Sequence, residues 1–107
     1  KKTGEVTRPW LGISFRGINK DIQEYFNLDN NNGVLVMNVV KDSPAEKAGL
    51  QKYDIIKEID KNEIENTDDL VEIINNKEIG EKVMIRVIRN GNSEVIFAKI
   101  GKRPERM

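Results

Sequence analysis

The sequence predicts an α+β fold: a small, partly open barrel or sandwich of about five to six mostly antiparallel strands, with two main helices and a short extra one. Three observations carry this. Short β-branched runs are separated by clusters of turn residues. The stretch KDSPAEKAGL marks both ends of a one-turn helix. The stretch VMIRVIRNGNSEVIF reads as a hairpin around Asn90-Gly91.

The elements follow in order. In RPWLGISFRG, alternation after Gly12 predicts a first strand, with Ile13 and Phe15 on one face. Asn19 can cap a short helix through KDIQEYFNL, where Ile22, Tyr25 and Phe26 fall at i, i+3 and i+4 as one apolar stripe. The cluster DNNNG turns the chain into VLVMNVV, a buried strand. Ser43 then stands as N-cap, with Pro44 in the first helical position and Glu46 three residues after the cap, a capping box. Gly49 supplies the C-terminal stop. A helix this short is unstable alone, so its role is to bend the chain and dock Ala45, Ala48 and Leu50 on a core. YDIIKEID reads as the next strand, KNEI as a turn, and Ile64 as part of a short following strand. Thr67 can cap the longer helix DDLVEIINN, which Gly80 closes. The tail GKRPERM has few apolar residues and reads as a linker.

Composition removes several functions. The 107 residues make one domain. Lys+Arg and Asp+Glu both number 18, and the aromatic residues are scattered, so no basic field invites nucleic acid. Cysteine and histidine are absent. Disulfides, thiol nucleophiles and the commonest metal ligands are therefore excluded, and Ser14, Ser43 and Ser93 have no imidazole to activate them. No catalytic constellation, cofactor site or metal site is expected in this chain. No apolar run approaches the roughly 20 residues of a membrane span. The opening KKTGEVTRP lacks an initiator methionine and a signal peptide, so the sequence reads as a piece of something longer.

The helix DDLVEIINN carries more apolar surface than a core stripe needs. Leu70 and Ile73 are expected to face the core, while Thr67, Val71 and Ile74 form an adjoining stripe. That stripe belongs either to a deeply set helix or to the wall of a groove. If the strand after Gly12 has an open edge beside it, the slot suits an extended peptide. The peptide's main chain would add to the sheet, and its terminal carboxylate would meet bare backbone at Gly12.

The combination of WLGI, GVLVMNVVKDSPAEKAGL, YDIIKEID, TDDLVEII and VIRNG resembles a PDZ domain over roughly residues 7–100. More narrowly it is similar to the bacterial PDZ type of the HtrA (Deg) serine proteases, through the lead-in TGEVTRPWLGI, the helix DIQEYFNLDNNNGVLV and the exit GKRPE. The resemblance implies a linker from an upstream protease domain over 1–7, the PDZ domain over 8–101, and a C-terminal linker over 102–107. It implies a carboxylate-binding loop at Trp10, Leu11, Gly12 and Ile13, and strand addition along Ile13, Ser14 and Phe15. The groove helix would present Thr67, Val71 and Ile74, and Arg8 would assist the carboxylate. A hydroxyl at Thr67, where a histidine could stand, gives no reason to expect a serine or threonine preference.

The expected function is capture of C-terminal or exposed apolar segments for an HtrA-like protease in the bacterial cell envelope. The expected partners are such segments and the chain's own protease domain. Two alternatives stand beside this: an interdomain or oligomerisation module whose groove is filled, by Arg16 or the NNN loop, and a PDZ domain of another envelope protein such as a C-terminal processing peptidase. Two departures from the family pattern concern turns: Tyr53 precedes Asp54 where glycine is usual, which predicts an uncommon backbone at Tyr53, and Lys61-Asn62 replaces a glycine turn.

Overall fold

The structure, a computed structural model, describes residues 8–103. Eight strands and three helices follow in the order β1 (Pro9–Trp10), β2 (Ile13–Gly17), α1 (Lys20–Tyr25), β3 (Val34–Val39), α2 (Pro44–Ala48), β4 (Ile55–Ile59), β5 (Asn62–Glu63), α3 (Thr67–Asn75), β6 (Lys82–Arg89), β7 (Asn92–Lys99) and β8 (Gly101–Lys102). One antiparallel sheet runs β2-β3-β4-β6-β7, with β5 paired to β4; β1 and β8 form a separate pair.

Local signals set most of these elements. Asn19 accepts from Ile22 N at 2.8 Å and caps α1. Ser43 Oγ accepts from Glu46 N at 3.1 Å, while Glu46 Oε1 reaches back to Asp42 N at 2.6 Å, one residue further than in the usual box. Gly49 ends α2 at φ +99°. The β6–β7 turn places Asn90 and Gly91 at φ +53° and +81°, the double left-handed geometry that matches strand twist.

One helix start differs from expectation. Asn66, not Thr67, is the N-cap of α3, accepting from Asp69 N at 3.0 Å, and Thr67 is the first helical residue. Asparagine is the stronger cap and stands one place earlier.

The main core lies between the sheet and helices α2 and α3. Val34, Val36, Ile56, Ile59, Ile64, Leu70, Val83 and Ile85 are all buried there. Each buried side chain of this size contributes roughly 1.5–3 kcal/mol. The opposite face of the sheet carries a smaller cluster of Ile18, Leu35 and Ile55, covered by Ile22 and Phe26 of the α1 segment. Tyr25, expected on the same stripe, is instead 82% exposed. A six-residue helix resting on a flat sheet face buries only the two positions directly beneath it.

Polar ties complete the frame. Asp54, 1% exposed, accepts from Arg89 Nε and Nη2 at 2.8 and 2.7 Å and from Gln51 N at 2.9 Å. The hydrogen bond to Asp54 holds the Arg89 guanidinium above its ordinary pKa. Tyr53 does adopt φ +76°, half-exposed, with its N–H on Val36 O at 2.7 Å. The chain order extends slightly past the expected end of the domain. Gly101 and Lys102, read from sequence as linker, pair with Trp10 and Pro9, and Arg103 N donates to Arg8 O at 3.2 Å. Of the expected linkers, residues 1–7 and 104–107 lie outside the described residues.

Candidate functional site

β2 ends the sheet on one side and pairs only with β3, so its other edge is open. The ladder sets which backbone groups face outward. Val36 N donates to Asp54 O and Val36 O accepts from Tyr53 N, so Phe15, opposite Val36, points its own N–H and C=O away from β3. A bulge after Ser14 keeps Ile13 in the same phase, since Val40 N takes Gly12 O at 2.8 Å just before it. Ile13, Phe15 and Gly17 therefore offer pairing groups to the exterior.

The loop before β2 is oriented in the same way. Leu11 O accepts from Ala45 N and Gly12 O from Val40 N, both at 2.8 Å. Their carbonyls are committed to α2 and to the end of β3. Among the described residues no backbone acceptor takes the N–H of Leu11 or Gly12. Three successive donors, at Leu11, Gly12 and Ile13, thus stand together with no competing acceptor, an arrangement suited to an anion.

Gly12 has two physical reasons to be glycine. Its φ is +95°, and a Cβ there would fall 2.2 Å from Ser43 Cβ and 2.6 Å from Ser43 Oγ. The close approach that sequence anticipated at this residue is thus made within the fold, by the cap of α2. It is what folds the carbonyls inward and leaves the N–H groups outward.

A cavity of about 120 Å3 lies beside this loop, and its walls include Leu11, Ile13, Phe15, Leu70, Val71 and Ile74. An apolar cavity of roughly 150 Å3 holds a benzene-sized guest, so this one suits a single side chain of valine to leucine size. Helix α3 packs beside β1 and β2 and forms the far wall. Five of the residues expected in the loop, strand and groove helix (Leu11, Ile13, Phe15, Val71 and Ile74) meet there. Ser14, the middle residue of the expected strand-addition segment, is exposed and turns its side chain to the other face.

The remaining expectations divide. Thr67 is half-buried but does not line the cavity; it is the first residue of α3, about two turns before Ile74. Ile74 is 9% exposed and belongs to the core as much as to the cavity, whereas Val71 is 45% exposed. Ile73, expected in the core, is half-buried against its margin. Trp10 is half-buried and lines both this cavity and the hollow on its other side. Arg8 is exposed and outside the cavity wall. Leu70 was missed as a wall; its i, i+4 relation to Ile74 was the available signal.

Neither suggested plug fills the slot. Arg16 is exposed and outside the wall, and the loop at Asn30–Asn32 is held by Lys57, whose Nζ donates to Asn32 O at 2.7 Å. Burial, with Arg86 nearby, pushes the Lys57 ammonium below its ordinary pKa. Helix α3 is seated at its other end by Lys77, which donates to Asp60 Oδ2, while Asp60 Oδ1 accepts from Met84 N at 2.8 Å. Burial pushes the Asp60 carboxyl up, yet the bonds from Lys77 and Met84 outweigh it and hold the group below the usual range. The bond to Asp60 raises Lys77.

Comparison with known proteins bears on the fold and the family. The sequence profile of the PDZ domain matches residues 9–100. A probable periplasmic serine endoprotease DegP-like of Hahella chejuensis is 40% identical over 104 residues, 97% of this chain and 22% of that protein. The like-named protein of a Marinomonas species is 39% identical over 104 residues. The chain thus spans about a fifth of the length of these relatives, 22% in each. Among solved structures, the HtrA-type protease AlgW with decapeptide superposes at a TM-score of 0.87 and 32% identity, covering 97% of this chain and 32% of that one. The HtrA3 PDZ domain bound to a phage-derived ligand gives a TM-score of 0.75 at 19% identity, over 92% of this chain and 88% of that one, which bears on the fold alone.

Proposed function

The chain belongs to the PDZ domain family, resembling the PDZ domains of HtrA and DegP-like serine proteases, and on that premise we propose that it captures C-terminal or exposed apolar segments of substrate proteins. The observation that carries this reading is the row of outward N–H groups at Leu11, Gly12 and Ile13 beside an apolar cavity at the open edge of β2. The ligand's carboxylate sits on those donors. Its last side chain drops between Ile13, Phe15 and Val71, and its main chain runs antiparallel to β2 as an added strand.

The energies suit a selective but releasable capture. The terminal side chain contributes roughly 1.5–3 kcal/mol. Each main-chain hydrogen bond adds about 0.5–1.5 kcal/mol net and reads no sequence. Trp10 closes the loop end of the cavity. Thr67 meets the ligand further along, and Arg8 adds positive charge upstream of the loop. In the longer protein, this module presents unfolded segments to an HtrA-like protease domain, or relays their binding to it, in the cell envelope. The segments over 1–7 and 104–107 connect it there. The chain itself performs no hydrolysis.

The support for capture rather than an occluded interdomain role is that Arg16 and the tethered Asn30–Asn32 loop leave the cavity wall clear. Titration calorimetry with paired peptides ending in valine or leucine tests the reading. The free-acid form should bind at least tenfold more tightly than its amide, a difference of about 1.4 kcal/mol. Equal binding of both would remove the carboxylate role of the loop.

A further inference from the structure

The sheet has a second open edge. β7 ends the strand order opposite β2 and pairs only with β6. The two-residue turn fixes its phase: Arg89 and Asn92 close the turn, so Glu94, Ile96 and Ala98 exchange hydrogen bonds with β6. Ser93, Val95, Phe97 and Lys99 then point their N–H and C=O outward. The bonds of Met84, the neighbour of Phe97, agree with this phase, because both its backbone groups engage Asp60 on the other side. Among the described residues no hydrogen bond takes up the outward groups of β7.

The side chains on this edge are equally unpartnered. Val95 is 52% exposed and Phe97 59%, on the sheet face turned away from the main core. Ile79, 44% exposed, adjoins Phe97 at the rim of a hollow of about 810 Å3. A long edge with apolar side chains is a template for another strand unless charge, proline or a bulge blunts it. Residues 95–98 carry none of these.

We infer that β7 is an interface for a second copy of this chain, the two β7 strands pairing antiparallel about a two-fold axis at Ile96. The edge is self-complementary in that register. Val95 faces the second copy's Phe97, and Phe97 its Val95, each a pair of outward-pointing residues that exchange two hydrogen bonds. Lys99 falls opposite Ser93, so no like charges meet. On the other face Glu94 lies opposite Ala98 of the second copy, where α2 packs beside β7 and carries Lys47. Neither Glu94 nor Lys47 has an ion-pair partner among the described residues. The two-fold makes this complementary contact twice. The hollow beyond Lys99, lined by Trp10, Lys47 and Ile100, receives the second copy's Asn90-Gly91 turn.

Sedimentation velocity over about 10 µM to 1 mM tests the inference, and a reversible monomer–dimer equilibrium is expected in that range. Val95→Pro should weaken association at least tenfold with the melting temperature unchanged, since the N–H it removes is unused in the monomer. Phe97→Lys should do the same through an exposed side chain, should the proline disturb folding. Glu94→Lys and Lys47→Glu should each weaken the dimer, and the two together should restore it, which fixes the register. A single monomeric species throughout would overturn the inference. So would a dimer indifferent to Val95→Pro and Phe97→Lys, or one that a saturating C-terminal peptide dissolves, since that places the contact at β2. A chain that stays monomeric while an unrelated extended peptide protects the β7 amides would refute the second copy as occupant. Peptide capture at β2 stands or falls separately.

Discussion

β2 and β7 are the two ends of one sheet, and both leave every second residue's backbone groups unpaired. They differ in what stands beside them. The β2 edge is headed by a loop offering only donors and is walled by α3, leaving an apolar cavity of about 120 Å3. The β7 edge has no donor loop; α2 packs beside the strand, and Val95 and Phe97 stand exposed on the face turned away from the main core. The comparison teaches that an unpaired edge alone gives affinity without choice. On the proposed capture, a closed end and a side wall make the β2 edge read one terminus and one side chain, whereas the proposed β7 contact reads only a strand like itself.

The largest expected effect on stability and peptide binding together comes from removing the feature that makes the two edges unlike. Gly12→Ala forces a Cβ into Ser43 and asks alanine for a positive φ. Overpacking of this kind and the left-handed backbone together cost about 2–4 kcal/mol. Thermal unfolding should show a fall of many degrees, and peptide binding at β2 should be lost. Retained stability with retained binding would mean that the loop tolerates another path.

A middle-sized effect separates wall from core on one helix. Val71→Asp, at a position 45% exposed, should leave the circular dichroism unchanged while weakening peptide binding at least tenfold. Ile74→Asp, at a position 9% exposed, buries an unpaired carboxylate and should unfold the domain, at about 3–5 kcal/mol. Loss of structure in both variants would make α3 a core helix with no separable wall.

The smallest effect concerns how firmly that wall is seated. Asp60 is held below its ordinary pKa by Lys77 and Met84 N, so its contribution is present above the unfolded value of about 3.9 and lost as pH falls through the lower folded value. Lys77 is raised, so its contribution is complete below about 10.4 and lost at still higher pH. With no histidine in the chain, the melting temperature should be flat between about pH 5 and 9. Asp60→Asn should lower stability across that plateau by about 1 kcal/mol and flatten the acid limb.

Much of this was legible in the sequence because local chemistry determines it. Ser43, Pro44, Glu46 and Gly49 bracket α2, and Asn90-Gly91 closes β6 on β7, through contacts only a few residues apart. The site was legible where a single periodicity spoke, as at Ile13, Phe15 and Val71. It blurred where two periodicities share a helix: Leu70 and Ile74 serve core and cavity together, and Asn66-Thr67 offers two adjacent caps. The β1–β8 pair was not legible. Two residues at each end of the chain carry no periodicity, and only the closed sheet brings them together. Gly12 was singled out as a point of close approach, but the group that crowds it, Ser43, lies 31 positions away and becomes adjacent only through the β3–α2 turn.

That crowding sets how long a ligand is worth holding. Because Leu11 O and Gly12 O are tied down by Ala45 and Val40, the loop is ordered during folding, and the entropy lost on capture is the ligand's alone. Each further ligand residue gives up about 1–2 kcal/mol of backbone freedom, and β2 answers only at Ile13, Phe15 and Gly17 before the chain turns into α1. Under the proposed capture the strand would act as a ruler: affinity should climb over the last few residues of a segment and then level off, whatever lies upstream.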